Sequence, residues 1–169
     1  MRKASFAPEV AVDCRVLVLG SLPGERSLAQ REYYAHPQNR FWHLVGCAIE
    51  VDIVALNYAE RLAVLKANGI GLWDVIGSAK RNGSLDASIR QAEHNPLAEL
   101  ISSLPDLRAI VFNGRTSARI GRAQLRSVDA DLIDLPSSSP AYAAMPIAEK
   151  EKHWLRLRDF LETPRAATH

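Results

Sequence analysis

The chain has 169 residues, 47% hydrophobic, 24% charged and 7% aromatic. These proportions suit one ordinary globular domain, here expected over residues 1–169, and exclude disordered, collagen-like and fibrous classes. The 21 basic and 19 acidic residues leave a formal charge of only +2, and the absence of an 18-residue apolar run excludes a transmembrane helix.

Arg15-Val-Leu-Val-Leu-Gly20 is an apolar, β-branched run ending in Gly and predicts a fully buried strand of a parallel sheet. Ser21-Leu-Pro-Gly24 then breaks regular structure. Apolar residues at helical spacing predict a helix from Phe41 to Val51, with Asn39 as its cap, and a second from Tyr58 to Asn68, stopped by Gly69. Ile70–Ile76 is the second strand. Residues 77–95 are polar and Gly-containing and read mostly as loop. Pro96 opens a helix at its first turn. Arg108–Phe112 is the third strand, ended by Asn113-Gly114. Arg115–Arg126 predicts a basic helix and Asp131–Leu135 a fourth strand, which runs into Pro136-Ser-Ser-Ser-Pro140. Residues 146–162 predict one final amphipathic helix.

Strands alternate with helices, so the expected fold is α/β: a three-layer α/β/α domain around a central, mostly parallel four-stranded sheet. The first, third and fourth strands run directly into Gly, Ser, Pro or Asn. The carboxyl ends of such strands are where open α/β sheets place their sites.

Sixteen of the 21 basic residues are Arg, the side chain suited to bidentate phosphate contacts. Five of them, Arg108, Arg115, Arg119, Arg122 and Arg126, fall between Leu107 and Val128 without an acid. That stretch is either a solvated helix face or a nucleic-acid surface. Cys14 and Cys47 are too few for a disulfide scaffold or a four-cysteine metal or iron–sulfur site, and reduced thiols of a cytoplasmic protein are the simplest reading. The N-terminus lacks the long apolar core of a secretory signal. The five His are scattered, so no metal or other cofactor is expected.

Gly20-Ser-Leu-Pro-Gly24 matches neither a Walker loop nor a dinucleotide fingerprint. Downstream, Tyr33-Tyr-Ala-His-Pro-Gln-Asn-Arg-Phe-Trp42 packs four aromatics, a His-Pro turn and an amide into ten residues. A helix start explains Phe41 and Trp42 but not Tyr34, His36 and Asn39. An aromatic in such a loop can stack on a base, and an amide can hold water or read a base edge.

Together these segments resemble the first motif of the uracil-DNA glycosylase superfamily. Leu72-Trp-Asp74, Val111-Phe-Asn-Gly114 and Pro136-Ser-Ser-Ser139 resemble later family segments in the right order, so the likeness spans about residues 15 to 160. Leu22 stands where many branches carry a water-orienting Asp or Asn. The hypoxanthine-DNA (deoxyinosine) glycosylases look most similar, and in them the Asn of the His-Pro-x-Asn stretch, here Asn39, is the expected catalytic residue.

The resemblance implies a monofunctional hydrolase that removes a deaminated base, foremost hypoxanthine, from an extruded nucleotide. The alternatives are a mismatch-specific uracil/thymine glycosylase, a non-catalytic lesion-binding module and a hydrolase of free nucleosides. The expected partner is DNA with a deaminated base, met by a cytoplasmic monomer, nucleoid-associated in a bacterium, with no membrane role. Ser21, Leu22, Tyr34, Asp74 and Asn113 are the expected base-binding residues. Three of these have plainer readings: Tyr34 packing on Phe41, Asp74 capping a loop, Asn113 making a turn. Pro23, Gly24 and His36 are expected to shape the loops. Ser137, Ser138, Ser139, Pro140 and Arg115 are expected on the DNA backbone. The second motif lacks both the His of the classical enzymes and the Arg of the mismatch enzymes, leaving Ala141 and Tyr142 as wedge candidates.

Overall fold

The computed structural model describes residues 2–162; Met1 and residues 163–169 of the expected domain lie outside the described residues. Strands β1 (Arg2–Ala4) and β2 (Val16–Gly20) precede a short helix α1 (Glu25–Gln30), then α2 (Phe41–Ile49) and α3 (Tyr58–Ala67). Next come β3 (Ile70–Asp74), β4 (Ile76–Lys80), β5 (Arg90–His94), α4 (Leu97–Ser102) and β6 (Ala109–Asn113). Helix α5 (Arg115–Gln124), β7 (Asp131–Leu135), α6 (Ile147–Trp154) and α7 (Arg158–Leu161) complete the described chain.

Four strands form the expected sheet, all parallel, in the order β3-β2-β6-β7. Side chains of a strand alternate between faces, and β2 divides its residues accordingly. Val16 and Val18 join Phe41, Trp42, Leu44, Leu65 and Trp154 on one face, under α2, α3 and α6. Leu17 and Leu19 join Leu97, Ile110, Phe112 and Leu125 on the other, under α4 and α5. β2 is therefore buried on both sides, as its unbroken apolar run requires.

The expectation that 77–95 is mostly loop is corrected at both ends, where two strands flank a connection that is loop apart from a 3-10 turn at Asp86–Ser88. β4 and β5 pair antiparallel, and β1 adds to β4, forming a second three-stranded sheet. Its strands buried little beyond Ile76 and Ala79, so almost no apolar alternation marked them in the sequence. Ile70–Ile76 correspondingly divides at Val75 between two sheets.

Other boundaries shift for local reasons. α2 starts at Phe41 with Arg40 at the cap position, but the Asn39 Oδ1 accepts the Phe41 N–H at 3.0 Å, so Asn39 does hold this terminus. α3 carries a reciprocal capping box between Asn57 and Glu60. The expected helix over 146–162 is interrupted by a 3-10 turn at Leu155–Leu157. That tighter winding aligns residues three apart and buries both Trp154 and Leu157. Among the described residues, no helix is long and apolar enough to cross a membrane.

Candidate active site

The register of the parallel sheet places its carboxyl ends side by side. Gly20 lies opposite Asp74, and Asn113 opposite Leu135. The loops that follow enclose a cleft of about 680 Å³. All the expected site residues line it: Ser21 to Gly24, Tyr34, His36, Asn39, Asp74, Asn113, Arg115, and Ser137 through Tyr142. They come from five separate segments of the chain.

Asp74 forms the floor. It is 4% exposed, and its Oδ2 has no hydrogen-bond partner among the described residues. Burial, then the charge of Asp86, pushes its carboxyl up to about 7, while Arg81 pulls the other way. Gly20 makes room for it, because a Cβ there would lie 2.6 Å from Asp74 Oδ1. The Tyr34 hydroxyl, also within reach of that Cβ, lies buried beside Asn113 without a well-formed hydrogen bond. Burial first, and then the Asp74 charge, raises the pKa of this phenol. Buried polar atoms without partners are rare, and at the floor of a cleft they mark where a ligand's own donors and acceptors would fit.

Tyr34 has a left-handed backbone with φ 55°, an uncommon conformation for an aromatic residue. Its ring stacks on Phe41, with centroids 3.9 Å apart and planes 15° apart, so the packing reading of Tyr34 holds for one face of the ring. The other expectation is compatible with it, since Tyr34 also lines the cleft.

Asn39 closes a turn in which its N–H donates to the His36 carbonyl, and His36 Nδ1 accepts the Gln38 N–H. His36 is thus engaged in shaping the turn. The Asn39 carboxamide is fixed by the Phe41 N–H on Oδ1, an oxygen with a second lone pair. The adjacent Arg40 N–H donates to the Ser138 carbonyl, which joins this turn to the serine loop.

Within that loop the structure gives Ser138 a different place from the expected backbone contact. Its side chain is 1% exposed; Asn113 Nδ2 donates to Ser138 Oγ, and Ser138 N–H donates to Asn113 Oδ1, both at 2.9 Å. Asn113 thus clamps the loop with one bond at each end of its amide, which leaves a second Nδ2 hydrogen and a second Oδ1 lone pair on a residue that also lines the cleft. Gly114, at φ 100°, permits the close approach, since a Cβ would meet Ser137 at 3.2 Å. Ser137 and Ser139 are half-buried, and their Oγ atoms accept the N–H groups of Ser139 and Ala141, leaving hydroxyl hydrogens to offer. Tyr142 is backed by Lys150, whose Nζ donates to its carbonyl at 2.8 Å and sits 5.2 Å from its ring.

The basic stretch divides by partner. Arg115 and Arg119 are exposed on the cleft side of α5. Arg122 also lines the cleft but is held by Asp134 at 3.0 Å. Arg108 donates to the carbonyls of Phe160 and Glu162, a structural tie far from the cleft.

Sequence reasoning missed the β4–β5 connection, whose Ser84, Leu85 and Asp86 line the same cleft. Ser21 Oγ donates to Asp86 Oδ1 at 2.7 Å, and buried Arg81 donates to the carbonyls of Leu22 and Pro23. The available signal was Leu85, a lone apolar residue within Asn82-Gly-Ser-Leu-Asp86. One trio among the described residues, His43, Cys47 and Glu151, could gather around a cation, but it joins α2 to α6 away from the cleft, with His43 Nε2 2.7 Å from Glu151 Oε1.

The sequence model of the Uracil DNA glycosylase superfamily matches residues 7–161. A hypoxanthine DNA glycosylase of Methanosarcina barkeri is 40% identical over 141 residues, covering 83% of this chain and 89% of that protein. The hypoxanthine DNA glycosylase of Methanosarcina acetivorans matches with the same identity and coverage. A solution NMR structure from M. acetivorans, described as a candidate uracil DNA glycosylase, superposes with a TM-score of 0.86 at 36% identity. It covers 96% of this chain and 100% of its own.

Proposed function

The chain belongs to the uracil DNA glycosylase superfamily, and on that premise we propose that it excises hypoxanthine from DNA by hydrolysis of the N-glycosidic bond. It is a DNA glycosylase acting on deaminated bases. The observation that carries the proposal is the cleft floor, where Asp74 and Tyr34 line the cleft and each keeps a buried polar atom without a partner, which suits the polar edge of a base. The two Methanosarcina enzymes support hypoxanthine as that base.

A base inside a duplex is out of reach, so the nucleotide must swing out into the cleft, at a cost of a few kcal/mol. Arg115 and Arg119 attract the backbone, and the hydroxyls of Ser137 and Ser139, beside Pro140, grip its phosphates. The base then slides beside Tyr34 with its edge toward Asp74, between the Ser21-Leu22 segment and the serine loop. An ionised Asp74 accepts the N1–H of hypoxanthine.

Bond cleavage builds positive charge on the sugar. Asn39 cannot act as a strong base. Its carbonyl oxygen, oriented by the Phe41 N–H, positions the attacking water with its free lone pair. No Lys lines the cleft among the described residues, which supports a monofunctional reaction without a Schiff base. The protein works without a cofactor, as a single-domain monomer beside DNA in the cytoplasm.

The test is cleavage of labelled duplexes carrying one deoxyinosine, deoxyuridine, deoxyxanthosine or G:T mismatch, each followed by alkali. Breaks at deoxyinosine that require alkali are expected. Breaks without alkali would refute monofunctional hydrolysis. The second reading, uracil or thymine excision, is favoured by the likeness to the structure described as a uracil enzyme. Breaks mainly at deoxyuridine or G:T would establish it instead.

A further inference from the structure

We propose that Leu85 is the wedge that fills the space left in the duplex by the extruded nucleotide, an inference that rests on the glycosylase reading above. Leu85 is 57% exposed at the tip of the β4–β5 connection. A singly exposed leucine is ordinary on any protein, so exposure alone decides nothing. Its mounting and its place do.

The mounting is stiff. On one side, Ser84 Oγ accepts the Glu25 N–H at 2.9 Å, fastening the loop to the start of α1. On the other, Asp86 receives the Ser21 hydroxyl at 2.7 Å. From beneath, Arg81, 4% exposed, donates to the carbonyls of Gly83, Leu22 and Pro23, and Lys3 Nζ donates to Gly83 at 2.7 Å. The Leu85 carbonyl itself accepts the Ser88 N–H at 3.0 Å. The Arg81 guanidinium thus ties the loop to the segment that lines the base site, which holds the Leu85 side chain steady against a load.

The place is the cleft mouth. Four large hydrophobic residues are exposed among the described residues, Val12, Val54, Leu85 and Ile147, and of these only Leu85 lines the cleft. It shares a shallow depression with Arg26, Pro140 and Ala141, and so stands across the mouth from the serine loop. There, Ala141 offers no more than a methyl group, and the Tyr142 ring is engaged by Lys150. A swung-out nucleotide leaves a hole walled by the faces of neighbouring base pairs. A branched apolar side chain can occupy that hole and keep the nucleotide from returning. The fastenings of the loop run to Ser21, Leu22 and Pro23, which line the base site, so insertion and base capture are mechanically joined.

The test compares duplex with single-stranded substrate, because a single strand has no stack to refill. Single-turnover excision of hypoxanthine from both is measured for the wild type and Leu85→Ala. A 2-aminopurine beside the lesion reports unstacking on binding. The duplex-to-single-strand rate ratio is expected to fall about tenfold or more in Leu85→Ala, with the fluorescence rise lost. Leu85→Met is expected to restore both, and Val54→Ala, an exposed apolar truncation outside the cleft, to change neither. An unchanged ratio in Leu85→Ala, or an equal loss on both substrates, overturns the wedge while leaving the glycosylase reading intact. A wild-type protein that excises nothing from either substrate overturns both.

Discussion

Replacing Asp74 by Asn removes a titrating group from the cleft floor while keeping the shape of the side chain. In the folded protein this carboxyl is raised from 3.8 to about 7, chiefly by burial and then by the charge of Asp86. A carboxyl that is raised on folding binds its proton more tightly in the native state. Its contribution to stability is therefore fully present below about pH 4 and lost as pH rises through about 7. A rise of some three units corresponds to roughly 4 kcal/mol between these limits. The Asn variant escapes this loss but buries an amide whose own hydrogens lack partners, at a cost of about 1 kcal/mol. At pH 8.5 it should be more stable than the wild type by about 3 kcal/mol, a shift of roughly 6–12 °C in melting temperature for a chain of this size. At pH 4 the advantage should vanish or reverse. Melts of both proteins across this range measure the difference directly. If the two curves run parallel with pH, the carboxyl is not titrating within the cleft, and the electrostatic account of the floor is wrong.

The same substitution should alter the ratio of hypoxanthine to uracil excision, because the amide offers a different donor and acceptor pattern to the base; competition assays on mixed duplexes check it. Asn39→Ala should reduce single-turnover excision by about 100-fold or more while gel-shift binding to lesion duplex is retained, since the lost group orients water rather than DNA. Gly20→Ala should destabilise the protein by about 1–3 kcal/mol in urea unfolding, because its Cβ would lie 2.6 Å from Asp74 Oδ1. Arg115→Ala should weaken binding to lesion and plain duplexes alike and lower the slope of log affinity against log salt by about 1; loss confined to the lesion duplex would place Arg115 in base recognition instead.

Some of the molecule was legible because its physical cause is local. The run Val16–Gly20 is apolar at every position, and only a strand covered on both faces explains that. Tyr34, His36 and Asn39 exceeded what a helix start needs, and each lines the cleft. The β4–β5 hairpin was not legible. It is held by backbone pairing and by contacts to β1, α1 and the Ser21 loop, and it buries too few apolar residues to impose a period.

By itself, then, the sequence determined the parallel sheet, the order of its strands along the chain and the polar loops at their carboxyl ends. Hydrophobic period and turn chemistry act over a few neighbours, and both are written in the residues concerned. Tertiary structure alone decided what each polar side chain does there. Asp74 is raised because it is enclosed by segments distant in sequence. Ser138 is turned inward by an amide 25 residues away, and Leu85 is held at the cleft mouth through Arg81, Lys3, Glu25 and Ser21. Burial, proton affinity and presentation depend on which distant groups come into contact, and that is settled only when the chain has closed on itself.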